Sequence, residues 1–199
     1  ILDLAPNTHK NSIYDIKQMI DAIVEIDTHK HSIVWKHQLF QKSDINVVLD
    51  RVVFAKAYDY AKNKGYKTTA SVFDLPSLAY LMQFEIPFIK IACNEKYYWL
   101  IDEIPRKYMI YASRNKQHLL FYHDAKIKKL SCIPHYPAKI EEYEDLPKKY
   151  ISDHTAGLDL WHEYKPEIWE KHYVLHKNKA DNPDSGEFAC TPEEMRLIL

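Results

Sequence analysis

Two lysines stand inside otherwise apolar runs, Lys36 after Val34-Trp35 and Lys90 within Phe88-Ile89-Lys90-Ile91. An inward-facing lysine in a strand needs an anionic partner or a ligand, because an unpaired buried ammonium is costly. Two such lysines at one barrel mouth imply an anionic substrate, a phosphate or a carboxylate. The alternative is that each points outward and snorkels between helices. Further polar residues close successive apolar runs: Asp3 and Asn7, Gln38, Ser71 and Asp74, Cys93-Asn94-Glu95, Ser113, Ser131 and His135, Ser152-Asp153-His154-Thr155, and Glu170-Lys171-His172. These types suit anion binding, proton transfer and metal ligation. Against that, a lone histidine is often structural, and Ser-Asp-His-Thr also reads as a turn followed by a helix cap.

The elements that must position these residues follow from hydrophobic period. Ile13, Ile16, Met19, Ile20, Ile23 and Val24 predict a helix over 12–26, with Asn11 or Ser12 as N-cap. Val52, Val53, Ala57, Tyr60 and Ala61 predict a second over 49–64, ended by Gly65. Asp74 and Pro76 start a third over 75–84. Shorter helical turns fit 97–104 and 158–165, and Thr191 caps a last helix over 192–199. Strands are expected at 1–4, 33–36, 67–71, 87–92, 108–113, 127–132, 150–152 and 168–174. The runs Leu119–Tyr122 and Ile127–Cys132 read as a hairpin. Eight strands with interleaved helices predict an α/β fold, a minimal (β/α)8 TIM barrel with some outer helices reduced to stubs. In such a barrel the chemistry lies at the C-terminal strand ends, where the polar residues above fall.

Composition narrows the function classes. Among 199 residues, 27 Lys and Arg against 28 Asp and Glu leave a net charge of −1, which gives no argument for nucleic acid or an anionic membrane as partner. The short lysine clusters, Lys126, Lys128, Lys129 and Lys148, Lys149, are offset by Glu141, Glu142 and Glu144 and read as solvated surface. The longest run without a charged residue, Leu75–Phe84, is ten residues and too short to span a bilayer. Ile1-Leu2-Asp3-Leu4 lacks the features of a signal peptide. Three widely spaced cysteines form no C-x-x-C pair, so the expected setting is reducing and cytoplasmic. Three glycines exclude a G-x-G-x-x-G or P-loop fingerprint.

Seven segments in order carry a family resemblance. Tyr150-Ile-Ser-Asp-His-Thr-Ala-Gly157 followed by Ile168-Trp-Glu-Lys-His-Tyr-Val-Leu175 resembles the G-Y-S-D-H-T-x-G … I-E-K-H-F-T-L signature of N-acetylneuraminate (sialic acid) synthases. Val34-Trp-Lys-His-Gln38 is similar to V-K-x-Q, Ala70-Ser-Val-Phe-Asp74 to S-T-P-F-D, and Ile86-Pro-Phe-Ile-Lys-Ile-Ala-Cys-Asn-Glu95 to V-P-A-F-K-I-A-S-G-E. Leu130-Ser-Cys-Ile-Pro-His-Tyr-Pro137 is similar to L-H-C-T-S-x-Y-P, Asn182-Pro-Asp184 to G-P-D-H, and Thr191-Pro-Glu-Glu194 to L-x-P-E-E. The resemblance implies a TIM barrel that condenses phosphoenolpyruvate with an N-acetylated amino sugar and releases phosphate, with Mn2+ or Mg2+ bound. It implies Lys36, Lys90, Ser71 and Ser113 as donor-binding residues, with Gln38, Asn7, Cys93 and Lys171 also facing substrate. Glu95, Asp3 and Lys36 become the catalytic candidates, and His154 a metal ligand.

Several positions depart from the pattern. Ser131 replaces the second metal histidine, so His135, four residues on, substitutes only if its loop folds back. Arg114 stands at a glycine position, Cys93-Asn-Glu95 replaces S-G-E, and Asn7-Thr-His-Lys10 keeps only the first residue of N-H-N-G. The helix after the fifth strand is expected to be missing. Residues 1–199 read as a single barrel domain without the family's C-terminal antifreeze-like domain. Two functions follow: a phosphoenolpyruvate-dependent sugar-acid synthase, or a non-catalytic barrel kept as an anion-binding or assembly module. Bare strand edges or exposed helices would favour a homo-oligomer.

Overall fold

A computed structural model describes residues 1–39, 46–116 and 124–199. Among these, eight strands close into one barrel in sequence order: β1 (Leu2–Asp3), β2 (Val34–Leu39), β3 (Lys67–Val72), β4 (Ile89–Ile91), β5 (Ile110–Arg114), β6 (Ile127–Cys132), β7 (Tyr150–Asp153) and β8 (Ile168–His172). Every neighbouring pair is parallel, and β8 pairs with β1 to complete the ring. The fold is thus the expected (β/α)8 barrel. Closure removes the open strand edge on which edge-to-edge association would depend.

The helices are α1 (Pro6–His9), α2 (Ile13–Ile26), α3 (Arg51–Asn63), α4 (Leu75–Leu81), α5 (Leu100–Glu103), α6 (Asp159–Tyr164) and α7 (Pro192–Met195). The long ones are capped as their sequences dictate. Ser12 Oγ accepts from Asp15 N at 3.2 Å, Asp50 from Val52 N and Val53 N at 2.7 and 3.1 Å, and Asp74 from Ser77 N at 2.6 Å. Each such cap is worth about 1 kcal/mol. Gly65, at φ +89°, takes the left-handed turn that ends α3. α2 buries Ile16, Met19, Ile20 and Ile23, spaced three and four apart, against Trp35 of β2 and Tyr173 beyond β8. α3 and α4 bury Phe54, Leu78 and Leu81 against Ala70, Val72 and Ile89. At ~1.5–3 kcal/mol per large buried apolar side chain, these contacts hold the helices to the outside of the ring.

From β4 onward the outer layer thins. A 3-10 turn (Glu95–Tyr97) and four-residue α5 follow β4, and a 3-10 turn (Ile140–Tyr143) stands between β6 and β7. The last helix spans four residues rather than the eight expected. Ile127–Cys132 is a parallel strand between β5 and β7, not one arm of a hairpin. Its expected partner run, Leu119–Tyr122, lies outside the described residues, as does most of the segment where a helix was expected to be missing.

Candidate active site

Strand alternation decides what enters the barrel mouth. Register aligns Asp3 with Lys36, Gln38 with Ser71, Ser71 with Lys90, Cys132 with Ser152, Ser152 with Glu170, and His172 with Asp3. All of these side chains, with Ser113, line one cavity of about 280 Å³ at the C-terminal strand ends. Cys93, Asn94, Tyr136 and His154 form its rim. Small-molecule sites begin near ~300 Å³, so this bowl suits a compact ligand.

At its floor two ammonium groups share a carboxylate. Lys36 Nζ lies 2.7 Å from Asp3 Oδ2, 3.1 Å from Glu170 Oε1 and 3.3 Å from Ser71 Oγ. Lys90 Nζ donates to Ser113 Oγ at 2.7 Å and to Ile91 O at 3.2 Å, and lies 3.5 Å from Glu170 Oε1. Ser152 Oγ donates to the same Glu170 oxygen at 3.2 Å, and Gln38 Nε2 donates to Asp3 Oδ2 at 2.7 Å. Burial opposes the charge on Lys36, but Asp3 and Glu170 outweigh it and push the ammonium up to about 12. Burial likewise opposes ionisation of Glu170, and Lys36 and Lys90 outweigh it and hold that carboxyl far below the usual range. Two cations and two carboxylates balance. Lys36 is saturated by short ion pairs, whereas Lys90 has a longer carboxylate contact and a hydroxyl, so Lys90 is the cation better placed to meet an incoming anion.

Other candidates fall elsewhere. Lys171 points out of the barrel: Glu170 and His172 face in, so the residue between them faces the helices. There it is wholly buried, 3.0 Å from Asp153 Oδ2, which also accepts from Trp169 Nε1 at 2.9 Å. Glu95 is exposed on the 3-10 turn after β4 and is not among the residues lining the cavity. A proton-transfer role at the floor is therefore not supported by its position. Asn7 is buried but lies outside the lining. It donates to Asn46 Oδ1 at 3.1 Å and accepts from Val47 N at 3.0 Å, so it ties the loop after β2 to α1.

The expected metal ligands are not assembled. His154 Nδ1 lies 2.6 Å from Ile133 O, which makes that nitrogen the donor. His135 is exposed, 2.8 Å from Glu142 Oε1, and is not among the residues lining the bowl, although its neighbours Pro134 and Tyr136 are. Ser131 donates outward to Pro147 O at 2.6 Å. Asp3 Oδ1, Glu170 Oε2 and His172 Nδ1 are buried without hydrogen-bond partners among the described residues, but Lys36 already compensates both carboxylates. No three His, Cys, Asp or Glu side chains among the described residues converge on a point where a metal ion would fit. The donor set does not match the octahedral oxygen-rich shell of Mg2+ or Mn2+.

Three contributors carry no assigned role in the sequence reading. Glu170, the hub of the floor, stands there only as a strand-end residue beside Lys171; strand alternation marks it as the inward one. Tyr136 covers His154 at a ring-centroid distance of 4.2 Å and meets His172 and Phe188 at 5.4 and 4.5 Å, making an aromatic wall. Cys132, the inward residue at the end of β6, lines the cavity together with Cys93. The neighbouring Cys132 thiol holds the Cys93 thiol below its ordinary range, with Lys90 adding to the effect against burial.

Comparisons with known proteins agree with this architecture. No protein-family model matches the chain, and no curated protein does. Among solved structures it is similar to the N-acetylneuraminic acid synthetase of Leptospira borgpetersenii in complex with citrate, at 18% identity and TM-score 0.74, over 99% of this chain and 80% of that one. It is also similar to a spore coat polysaccharide biosynthesis protein of Bacillus subtilis, at 18% identity and TM-score 0.72, over 100% of this chain and 65% of that one. A truncated 3-deoxy-D-arabino-heptulosonate 7-phosphate synthase of Thermotoga maritima follows at 11% identity and TM-score 0.66, over 99% and 82%. The barrel implied by the sequence resemblance is the barrel these synthases share with this chain. Among the described residues no helix is long and apolar enough to cross a membrane.

Proposed function

We propose that the chain binds a small dianionic donor of the phosphoenolpyruvate class in the barrel mouth and condenses it with an amino sugar, forming a carbon–carbon bond and releasing phosphate. The observation that carries this reading is the pair of buried lysines facing one bowl, with Ser71 and Ser113 beside them and a shared carboxylate behind. Lys90 Nζ and Ser113 Oγ hold one anionic group of the donor by charge-assisted hydrogen bonds. Lys36, Asp3 and Gln38 fix the opposite side of the floor, and the aromatic wall of Tyr136 and His154 keeps water from one flank. Donor and sugar together exceed the volume of the bowl, so the sugar sits toward the rim. The resemblance to sialic acid synthases and the likeness to synthase barrels support the reaction class.

A second reading has its own support. The metal ligands do not converge and Glu95 lies outside the bowl, which fits a barrel that retains anion binding without turnover. Calorimetric titration of the folded chain with phosphoenolpyruvate, followed by phosphate release with N-acetylmannosamine in the presence of Mn2+, separates the two. Binding with turnover supports the synthase, binding without turnover across a panel of aldoses supports the anion-binding barrel, and no binding overturns both. Residues 1–199 working as one barrel domain, a cytoplasmic setting and association into homo-oligomers belong to the same proposal. Light scattering tests the last.

A further inference from the structure

We propose that Cys93 and Cys132 are a peroxide-sensitive thiol pair whose disulfide closes the anion bowl. Cys93 lies two residues beyond β4 and Cys132 is the last residue of β6, so their strands are separated by β5. Both nevertheless line the same cavity, on either side of the end of β5, and each thiol shifts the ionisation of the other. Cys93 is half-buried and opens to solvent through the bowl, whereas Cys132 is buried behind it, with its Sγ 3.9 Å from His154 Nδ1. An accessible thiol backed by a buried one is the arrangement of an attacking and a resolving cysteine. The third thiol, Cys190, is buried in the apolar cluster around Trp35 and Tyr173 and has no such outlet.

The chemistry balances with hydrogen peroxide as oxidant. The sulfur of Cys93, its proton released, attacks one peroxide oxygen; the O–O bond breaks, and the departing hydroxide takes up that proton as water. This leaves a sulfenic acid on Cys93. The sulfur of Cys132 then attacks the Cys93 sulfur, the S–O bond breaks, and the second hydroxide leaves as water with the proton from Cys132. Two thiols and one peroxide become one disulfide and two waters, and a dithiol reductant reverses the change. The bridge ties the turn carrying Asn94 to β6 across the cavity that Lys90 and Ser113 also line, so the anion loses access to the ammonium.

The test uses the folded chain and needs no turnover. After peroxide treatment and alkylation, peptide mass mapping without reductant is expected to find a Cys93–Cys132 cross-link and one remaining titratable thiol, Cys190, of the three free cysteines. Dithiothreitol restores all three, and C93S leaves Cys132 unreacted. A cross-link that includes Cys190, dimers joined through Cys93, or Cys93 driven to sulfinic acid beside a free Cys132 overturns the pairing. Inorganic phosphate is the binding probe. Its affinity is expected to fall on oxidation and return on reduction, and unchanged affinity in the cross-linked protein overturns the closure. If the reduced protein binds no phosphate at all, the functional reading fails. The closure fails with it, while the mapping still decides the thiol pairing.

Discussion

Replacing either lysine of the floor by methionine removes a charge of the same size from the same bowl, yet the two changes are expected to differ in kind. Lys90→Met leaves Glu170 with Lys36 at 3.1 Å and Ser152 at 3.2 Å, so the carboxylate stays compensated. An apolar chain of similar volume replaces a buried ammonium, and the stability change stays below ~1.5 kcal/mol. The bowl, however, passes from balanced to a net charge of −1. One ammonium about 4 Å from a ligand anion is worth ~4 kcal/mol at an effective dielectric constant near 20. Allowing for the lost desolvation cost, a net loss near 3 kcal/mol weakens donor binding by roughly two orders of magnitude. Lys36→Met does the opposite. It leaves Asp3 and Glu170 facing the same space without the ion pairs at 2.7 and 3.1 Å. Breaking a buried pair from one side costs ~3–5 kcal/mol, a fall in Tm of roughly 10 °C for a chain of this length. Calorimetric titration with phosphoenolpyruvate and thermal melts of both variants make the check. If Lys90→Met melts as low as Lys36→Met while keeping its affinity, the assignment of one lysine to the ligand and the other to the floor is refuted.

The remaining predictions concern stability and the unused candidates. His9 and His37 are buried together, with ring centroids 6.0 Å apart, and His37 has neither nitrogen hydrogen-bonded among the described residues. Burial lowers them from 6.5 to about 4 and about 3. The unfolded chain therefore takes up protons that the folded one refuses, and stability is full above pH 6.5 and falls as pH drops toward 4. At pH 5 the loss is ~2 kcal/mol for each imidazole, and His37→Leu is expected to flatten the melting profile between pH 5 and 7. Lys171→Met should destabilise by ~3–5 kcal/mol in urea titration, through the stranded Asp153, with no effect on anion affinity. Glu95→Gln should leave phosphoenolpyruvate affinity unchanged; a large loss would place that carboxylate in the bowl.

The barrel and the two lysines of its floor are written into the chain locally. Repeated strand and helix periods, the caps at Ser12, Asp50 and Asp74, and two lysines flanked by apolar neighbours are local patterns, and local sterics and solvation enforce them wherever the chain goes. Strand ends are legible for the same reason, so the sequence marks Lys36, Gln38, Ser71, Lys90, Ser113 and His154, all of which line the cavity. Which of the neighbouring polar residues face inward was decided by the register of closure. A shift of one residue exchanges bowl for helix layer, and this is why Lys171 went outside and Glu170 became the hub. The placement of Glu95, His135 and Asn7 rested on short turns and connections between strand and helix, where no period constrains direction and a contact such as His135 with Glu142 settles the outcome. The meeting of Cys93 with Cys132 is likewise tertiary. Thirty-nine positions apart in the chain, they come to one cavity only because the parallel ring sets the ends of β4 and β6 on either side of β5.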